Sequence, residues 1–150
     1  MSDDVWFCKQ HIQNACGTVG LLHALMNADV EKEGWLKKFA ERTQGKNPEE
    51  RARVLEEDNE LDACHADAAE QGQTRPPALD EVVKLHFVTM IQKDGCLYEL
   101  DGRKPFPLNL GPSEPGQLLP DAISKIKTRY IDADPSQRDF NILALGPNIS

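Results

Sequence analysis

Cysteine is scarce. Cys8, Cys16, Cys64 and Cys96 are spread over 150 positions with no CxxC pair. That spacing argues against a zinc ribbon and against a disulfide scaffold, and it makes a reducing compartment the default. The cytoplasm is therefore the expected location, with the nucleus as a second. Long apolar runs are also lacking, and no secretory hydrophobic stretch follows Met1, so no membrane span or membrane partner is expected. Positive charge is in deficit: 17 Lys and Arg against 25 Asp and Glu leave a net charge of −8. A chain of this sign is a poor match for a nucleic-acid backbone. It suits a basic protein or peptide, although many soluble enzymes carry as much for solubility. Internal repeats and low-complexity tracts are missing too. What remains is ordinary for a soluble globular protein, 39% hydrophobic and 28% charged, and 150 residues are enough for a single domain (residues 1–150) with its own core.

Residues 1–9 form a short extended lead-in with Val5, Trp6 and Phe7 apolar. A helix starts at about Cys16, with Val19, Leu22 and Leu25-Met26 at spacings of three and four, and ends near Asn27. A second helix is expected over about Val30 to Arg42, with Trp35, Leu36 and Phe39 on one face, closed by Thr43-Gln44-Gly45. Asn47-Pro48-Glu49-Glu50 starts a third: a capping Asn, Pro at the first position and acids in the first turn. The acidic cluster Glu56-Glu57-Asp58 and Glu60 is most simply a solvated face. Gln71 to Pro77 breaks regular structure and reads as an exposed loop. Strands follow at about Val82–Ile91 and Cys96–Leu100, joined by Asp94-Gly95, a strong hairpin signal. Arg103 to Pro115, with four prolines, reads as loop, Pro120 opens a last helix, and Phe140–Leu145 is a short apolar strand. Mixed helices and strands with a hairpin predict an α+β layered domain, an antiparallel-rich sheet flanked by helices.

Gln10-His11-Ile12-Gln13-Asn14-Ala15-Cys16-Gly17 carries the first chemical signal. With Asn14 as N-cap, Cys16 sits at a helix N-terminus, where free amides and the positive end of the dipole favour thiolate, the reactive form. Gln10 can supply a side-chain amide to an oxyanion forming beside the sulfur. The competing reading is a buried structural cysteine, the commoner fate of this residue type.

The hairpin supplies the second signal. With Asp94-Gly95 as a two-residue turn, Lys93 pairs with Cys96 and His86 lies opposite Arg103. Asp101 then shares a face with His86 on the diagonal, within reach of a carboxylate–imidazole hydrogen bond. A three-residue turn would slip the register and put Asp101 on the other face. With the two-residue turn, Cys16, His86 and Asp101 are available as nucleophile, base and orienter. Against this stand a satisfied strand histidine at 86 and a plain turn at Asp101-Gly102. His11, His23 and His65 read as structural or solvated.

These blocks look familiar. Lys9 to Ala24, with Gln10 and Cys16, resembles the active-site block of the ubiquitin C-terminal hydrolases, a papain-like cysteine peptidase family. Leu85-His86-Phe87-Val88 followed by Asp94 to Pro105 resembles its histidine and aspartate block. The resemblance covers nearly the whole chain. It implies Gln10 as oxyanion-hole glutamine, Cys16 as nucleophile, His86 as base and Asp101 as third member. It further implies thiol-dependent hydrolysis at the C-terminal glycine of ubiquitin, with small adducts, short peptides or unfolded tails as leaving groups, no cofactor, and a monomer. Ubiquitin's basic tail suits the acidic chain. The stretch Ala66–Leu79 looks like the family's active-site crossover loop. Members carry a sizeable portion ahead of the cysteine block, whereas Met1 stands 15 residues before Cys16. The resemblance therefore leads us to expect the N-terminal strands to be missing from the sheet. The alternative from another class is a non-catalytic ubiquitin-binding fragment of such an enzyme.

Overall fold

The computed structural model describes residues 4–12, 15–61, 86–136 and 139–146. Helix α1 spans Cys16–Asn27, α2 Gly34–Thr43 and α3 Pro48–Glu56. The sheet follows as β1 Thr89–Lys93, β2 Cys96–Leu100 and β3 Leu108–Pro112, antiparallel in the order β1-β2-β3. Helix α4, Leu118–Ile126, closes with a single π-helical turn, Lys127–Ile131.

Helix α3 begins as its residue types dictate. Asn47 accepts from the Glu50 amide at 2.9 Å, Glu50 returns a carboxylate to the Asn47 amide at 2.8 Å, and Pro48 takes the first position, where no amide is needed. Val19 and Leu22 of α1, Phe39 of α2 and Leu55 of α3 meet in one core cluster, with Trp6, Trp35 and Leu36 against it. Trp35 stacks on Phe39 with centroids 4.9 Å apart. A second cluster joins Phe7 of the lead-in to Ile91, Tyr98 and Leu100 of the sheet. The lead-in is clipped to α1 by the Asn27 side chain, which accepts from the Trp6 amide and donates to the Trp6 carbonyl, both at 2.8 Å.

The hairpin has the expected two-residue turn: Lys93 pairs with Cys96, and Asp94 and Gly95 take φ of 49° and 71°. Positive φ at both turn positions matches the right-handed twist of the strands, hence the Asp-Gly pair.

Several expectations shift. Val82–Ile91 is not one strand in its described part. His86 to Val88 are irregular and β1 runs from Thr89 to Lys93. Pairing stops at Thr89 with Leu100 because the partner chain turns away at Asp101, where the Lys104 amide donates to the Asp101 carbonyl. Within the expected loop 103–115 lies β3. It is an outer strand whose proline stands at its last position, where a missing amide is tolerated. A bulge at Leu110, beside Gly111 with φ 108°, reconciles it with β2. Phe140–Leu145 is irregular and exposed, not a strand, with no described strand paired to it. Helix α2 starts four residues later than expected, and α4 begins at Leu118, so that Pro120 sits inside its first turn. Asp58 is not solvated. It is 3% exposed and accepts from Trp35 Nε1 at 3.0 Å, Arg42 Nη1 at 2.6 Å and the Leu61 amide at 3.0 Å. Burial pushes its carboxyl up, but those donors outweigh burial and hold it below the usual carboxylate range. The stretches Gln71–Pro77 and Ala66–Leu79, and His65, lie outside the described residues.

Candidate active site

Gln10, Cys16, His86 and Asp101 come from three places: the lead-in, the first residue of α1, and the two sides of the hairpin base. Helix α1 presents Gly17 and Gly20 toward the segment entering β1. A methyl group at Gly20 would stand 3.4 Å from Thr89 Oγ1 and 3.6 Å from Phe87 Cβ, and one at Gly17 would meet the Phe87 ring at 3.7 Å. Thr89 Oγ1 donates to the Gly20 carbonyl at 2.6 Å. Small residues at this spacing let the chain lie against the helix, so that residues 86–89 run back along α1 toward its N-terminal end.

Cys16 is the first helical residue, as expected, and is 7% exposed. The cap position is Ala15 rather than Asn14, and no side chain caps the helix there. Asn14 lies outside the described residues.

His86 and Asp101 meet as the two-residue turn requires. Imidazole Nε2 is 2.7 Å from Asp101 Oδ1, with the side chains 20% and 10% exposed. The same oxygen accepts from the Arg103 amide at 3.0 Å, which anchors the carboxylate. A carboxylate can only accept, so Nε2 carries the proton and Nδ1 is left with its lone pair. Nδ1 is buried and has no hydrogen-bond partner. The thiol of Cys16 is therefore not hydrogen-bonded to the ring.

The Gln10 backbone amide donates to the Gly102 carbonyl at 2.8 Å, tying the lead-in to the residue after Asp101. Its side-chain Nε2 donates to the Ile12 carbonyl at 3.2 Å, while Oε1 is buried without a partner. The amide nitrogen thus serves its own loop in this conformation.

Of the other histidines, His11 and His23 lie within the described residues. His23 is fully buried, stacked on Phe7 at 5.0 Å, with Nε2 3.1 Å from the Cys8 amide. Burial pulls its pKa down to about 4. His11 lies 2.6 Å from Glu49 and 3.4 Å from Glu56, and its hydrogen bond to Glu49 raises its pKa. Cys8 is fully buried, which pushes its thiol up to about 12. Among the described residues no group of three His, Cys, Asp or Glu side chains could hold a metal ion, and no helix is long and apolar enough to cross a membrane.

Thr89 and Gly102 were not singled out from sequence. Gly102 lies inside the block Asp94 to Pro105 and Thr89 inside the expected strand, but only the fold shows what each touches.

The sequence matches the family described as "Ubiquitin carboxyl-terminal hydrolase, family 1" over residues 1–132. This chain belongs to the ubiquitin carboxyl-terminal hydrolase family. It is 42% identical over 149 residues to a probable ubiquitin carboxyl-terminal hydrolase of Dictyostelium discoideum, covering 97% of this chain and 58% of that protein. It is 40% identical to the isozyme L1 enzyme of Macaca fascicularis, covering 97% and 65%. In structure it resembles the UCH37 catalytic domain of Trichinella spiralis bound to ubiquitin vinyl methyl ester. The TM-score is 0.74 at 31% identity, covering 91% of this chain and 61% of that one. The chain thus spans about three-fifths of the length of these relatives. The α+β architecture expected from sequence is that of these ubiquitin carboxyl-terminal hydrolase domains.

Proposed function

We propose that this chain is the cysteine-peptidase unit of a ubiquitin C-terminal hydrolase, cleaving ester, thioester, amide or peptide bonds at ubiquitin's C-terminal glycine. The observation that carries this reading is the part-buried His86–Asp101 hydrogen bond, with an unpartnered Nδ1, on a segment running toward the helix end that bears Cys16. Family membership, the ubiquitin adduct held by the UCH37 relative and the net charge of −8 support the substrate class.

In this reading His86 Nδ1 takes the proton from Cys16 Sγ, and the sulfur attacks the glycine carbonyl carbon. Charge collects on the carbonyl oxygen, where the Gln10 side-chain amide, swung from Ile12, and the positive end of α1 stabilise it. Collapse expels the leaving group, which takes the proton from His86, and leaves a thioester on Cys16. Water then attacks that carbonyl, giving its proton to His86, and the ubiquitin carboxylate and free thiol are released. Asp101 keeps Nε2 protonated and stabilises the imidazolium formed in each half. No step calls for a metal or cofactor. Thiol and imidazole close to hydrogen-bond distance when substrate is bound, a tightening common in enzymes on going from the free to the substrate-bound state.

The missing thiol–imidazole hydrogen bond favours a second reading, a ubiquitin-binding module that turns over poorly. Incubation with ubiquitin vinyl methyl ester separates the two. We expect a covalent adduct that peptide mapping places on Cys16, together with hydrolysis of a ubiquitin–fluorophore amide. Reversible binding with neither adduct nor turnover would establish the module instead.

A further inference from the structure

We infer that Gly102 is a positioning residue, whose bare Cα lets a single close contact set both the Gln10 amide and the Asp101–His86 pair. The inference rests on the catalytic reading above.

Conformation does not explain a glycine here. Gly34, Gly45, Gly95, Gly111 and Gly116 have positive φ, and Gly102 does not. Space explains it. A methyl group at 102 would stand 2.9 Å from Gln10 Cβ, 2.9 Å from Val19 Cγ1 and 3.1 Å from the Gln10 amide nitrogen. Carbon atoms in contact prefer about 3.5–4.0 Å, so something must move by roughly half an ångström or more. Gly17 and Gly20 differ, because their nearest neighbours stand at ordinary contact distances of 3.4 Å and beyond.

What can move decides the consequence. Val19 is 2% exposed and packed among Leu22, Phe39 and Leu55, so the helix side is the stiff one. Gln10 is held at that spot by its own amide, which donates to the Gly102 carbonyl at 2.8 Å. Asp101 is the preceding residue, its Oδ1 fixed between the Arg103 amide and His86 Nε2. A side chain at 102 therefore pushes Gln10 off, or drags the Asp101 carboxylate back. In either case the two halves of the site lose their common reference.

The test is Gly102→Ala in the full chain, with active sites counted by ubiquitin vinyl methyl ester and turnover followed on a ubiquitin–fluorophore amide. Displacements of this size cost about 10–100-fold in reactivity. We expect kcat per active site to fall by that factor with KM within about threefold, because the recognition surface is untouched. We also expect Gln10→Ala to cost several-fold less in the Gly102→Ala background than in the wild type, since the amide is already displaced. Val19→Ala/Gly102→Ala opens the helix side but leaves the Gln10 contact. It should fold even where Gly102→Ala does not, and should keep the kcat deficit relative to Val19→Ala.

Three results would overturn the inference: kcat per site within twofold of wild type, equal Gln10→Ala effects in both backgrounds, or full recovery in the double variant. Failure of both variants to fold would do the same, because the glycine would then serve the helical core. A wild-type chain that neither forms the adduct nor turns over would instead remove the functional reading, and this inference with it.

Discussion

Two cysteines and two histidines of this fold, Cys8 with His23 and Cys16 with His86, stand in contrasting surroundings. Cys8 and His23 belong to the seam where the lead-in crosses α1. Both are wholly buried, His23 lies flat on Phe7, and its Nε2 meets the Cys8 backbone rather than the thiol. Burial is the largest cause that pushes Cys8 up to about 12, with Glu49 and Glu56 adding to it and Arg51 opposing, and burial outweighs the hydrogen bonds that favour charged His23 and brings it down to about 4, so both stay neutral at ordinary pH. Cys16 and His86 lie at the edge of the same body. Cys16 starts a helix, and His86 has a carboxylate on one nitrogen and nothing on the other. Residue type makes either pair a candidate for thiol chemistry. Environment leaves one pair as packing and the other with an unused base.

The sharpest way to break that contrast is to remove each thiol in turn. Cys16→Ala should lower turnover of a ubiquitin–fluorophore amide by at least about 10³-fold, while Cys8→Ala should stay within about threefold in kcat. Activity surviving in Cys16→Ala, or lost only in Cys8→Ala, would reverse the assignment of the two pairs.

A smaller effect should come from Asp101→Asn, which keeps the shape of the His86 contact but removes its charge and allows the wrong imidazole tautomer. A fall in kcat of about 10²-fold, the lower end of what a general base contributes, with little change in KM is expected from steady-state kinetics. Unchanged kinetics would mean that the hydrogen bond from His86 is only structural, as that of His23 is.

The smallest effect sharpens the other side. The folded pKa of His23, about 4, lies below its unfolded value near 6.5. Between those values the unfolded chain binds the extra proton, so stability rises with pH across the window and is lost on acidification from about 6.5 toward 4. The full loss is about 3 kcal/mol by this linkage. Urea melts of wild type and His23→Gln between pH 7 and 4 should show a flatter dependence in the variant. Parallel curves would show that His23 is not the group taking up the proton. His11 acts in the opposite direction, its pKa raised by Glu49. Its contribution is present at low pH and fades as pH rises through the folded value, and an exposed pair of this kind gives at most about 1 kcal/mol.

What the sequence by itself determined was local or governed by a short rule. The capping box at Asn47–Glu50 needs only four residues, and the Asp94-Gly95 turn needs only its own φ preferences. Because that turn sets a period-two register, the meeting of His86 and Asp101 could be worked out from spacing, although the strand pairing itself ends three residues short of His86. The start of α1 at Cys16 followed from its apolar spacing. The rest depended on neighbours distant along the chain. Strand β3 hid behind prolines that an outer strand tolerates, and Phe140–Leu145 lacks the described partner that would make its apolar pattern a strand. Asp58 looked like one more solvated acid until Trp35 and Arg42 closed over it. Gly102 looked like half of a turn, yet its importance lies in Gln10 and Val19 pressing on it from either side. A propensity acts on the residue that carries it. Burial, close approach and the absence of a partner exist only between segments, and so only the tertiary structure could decide them.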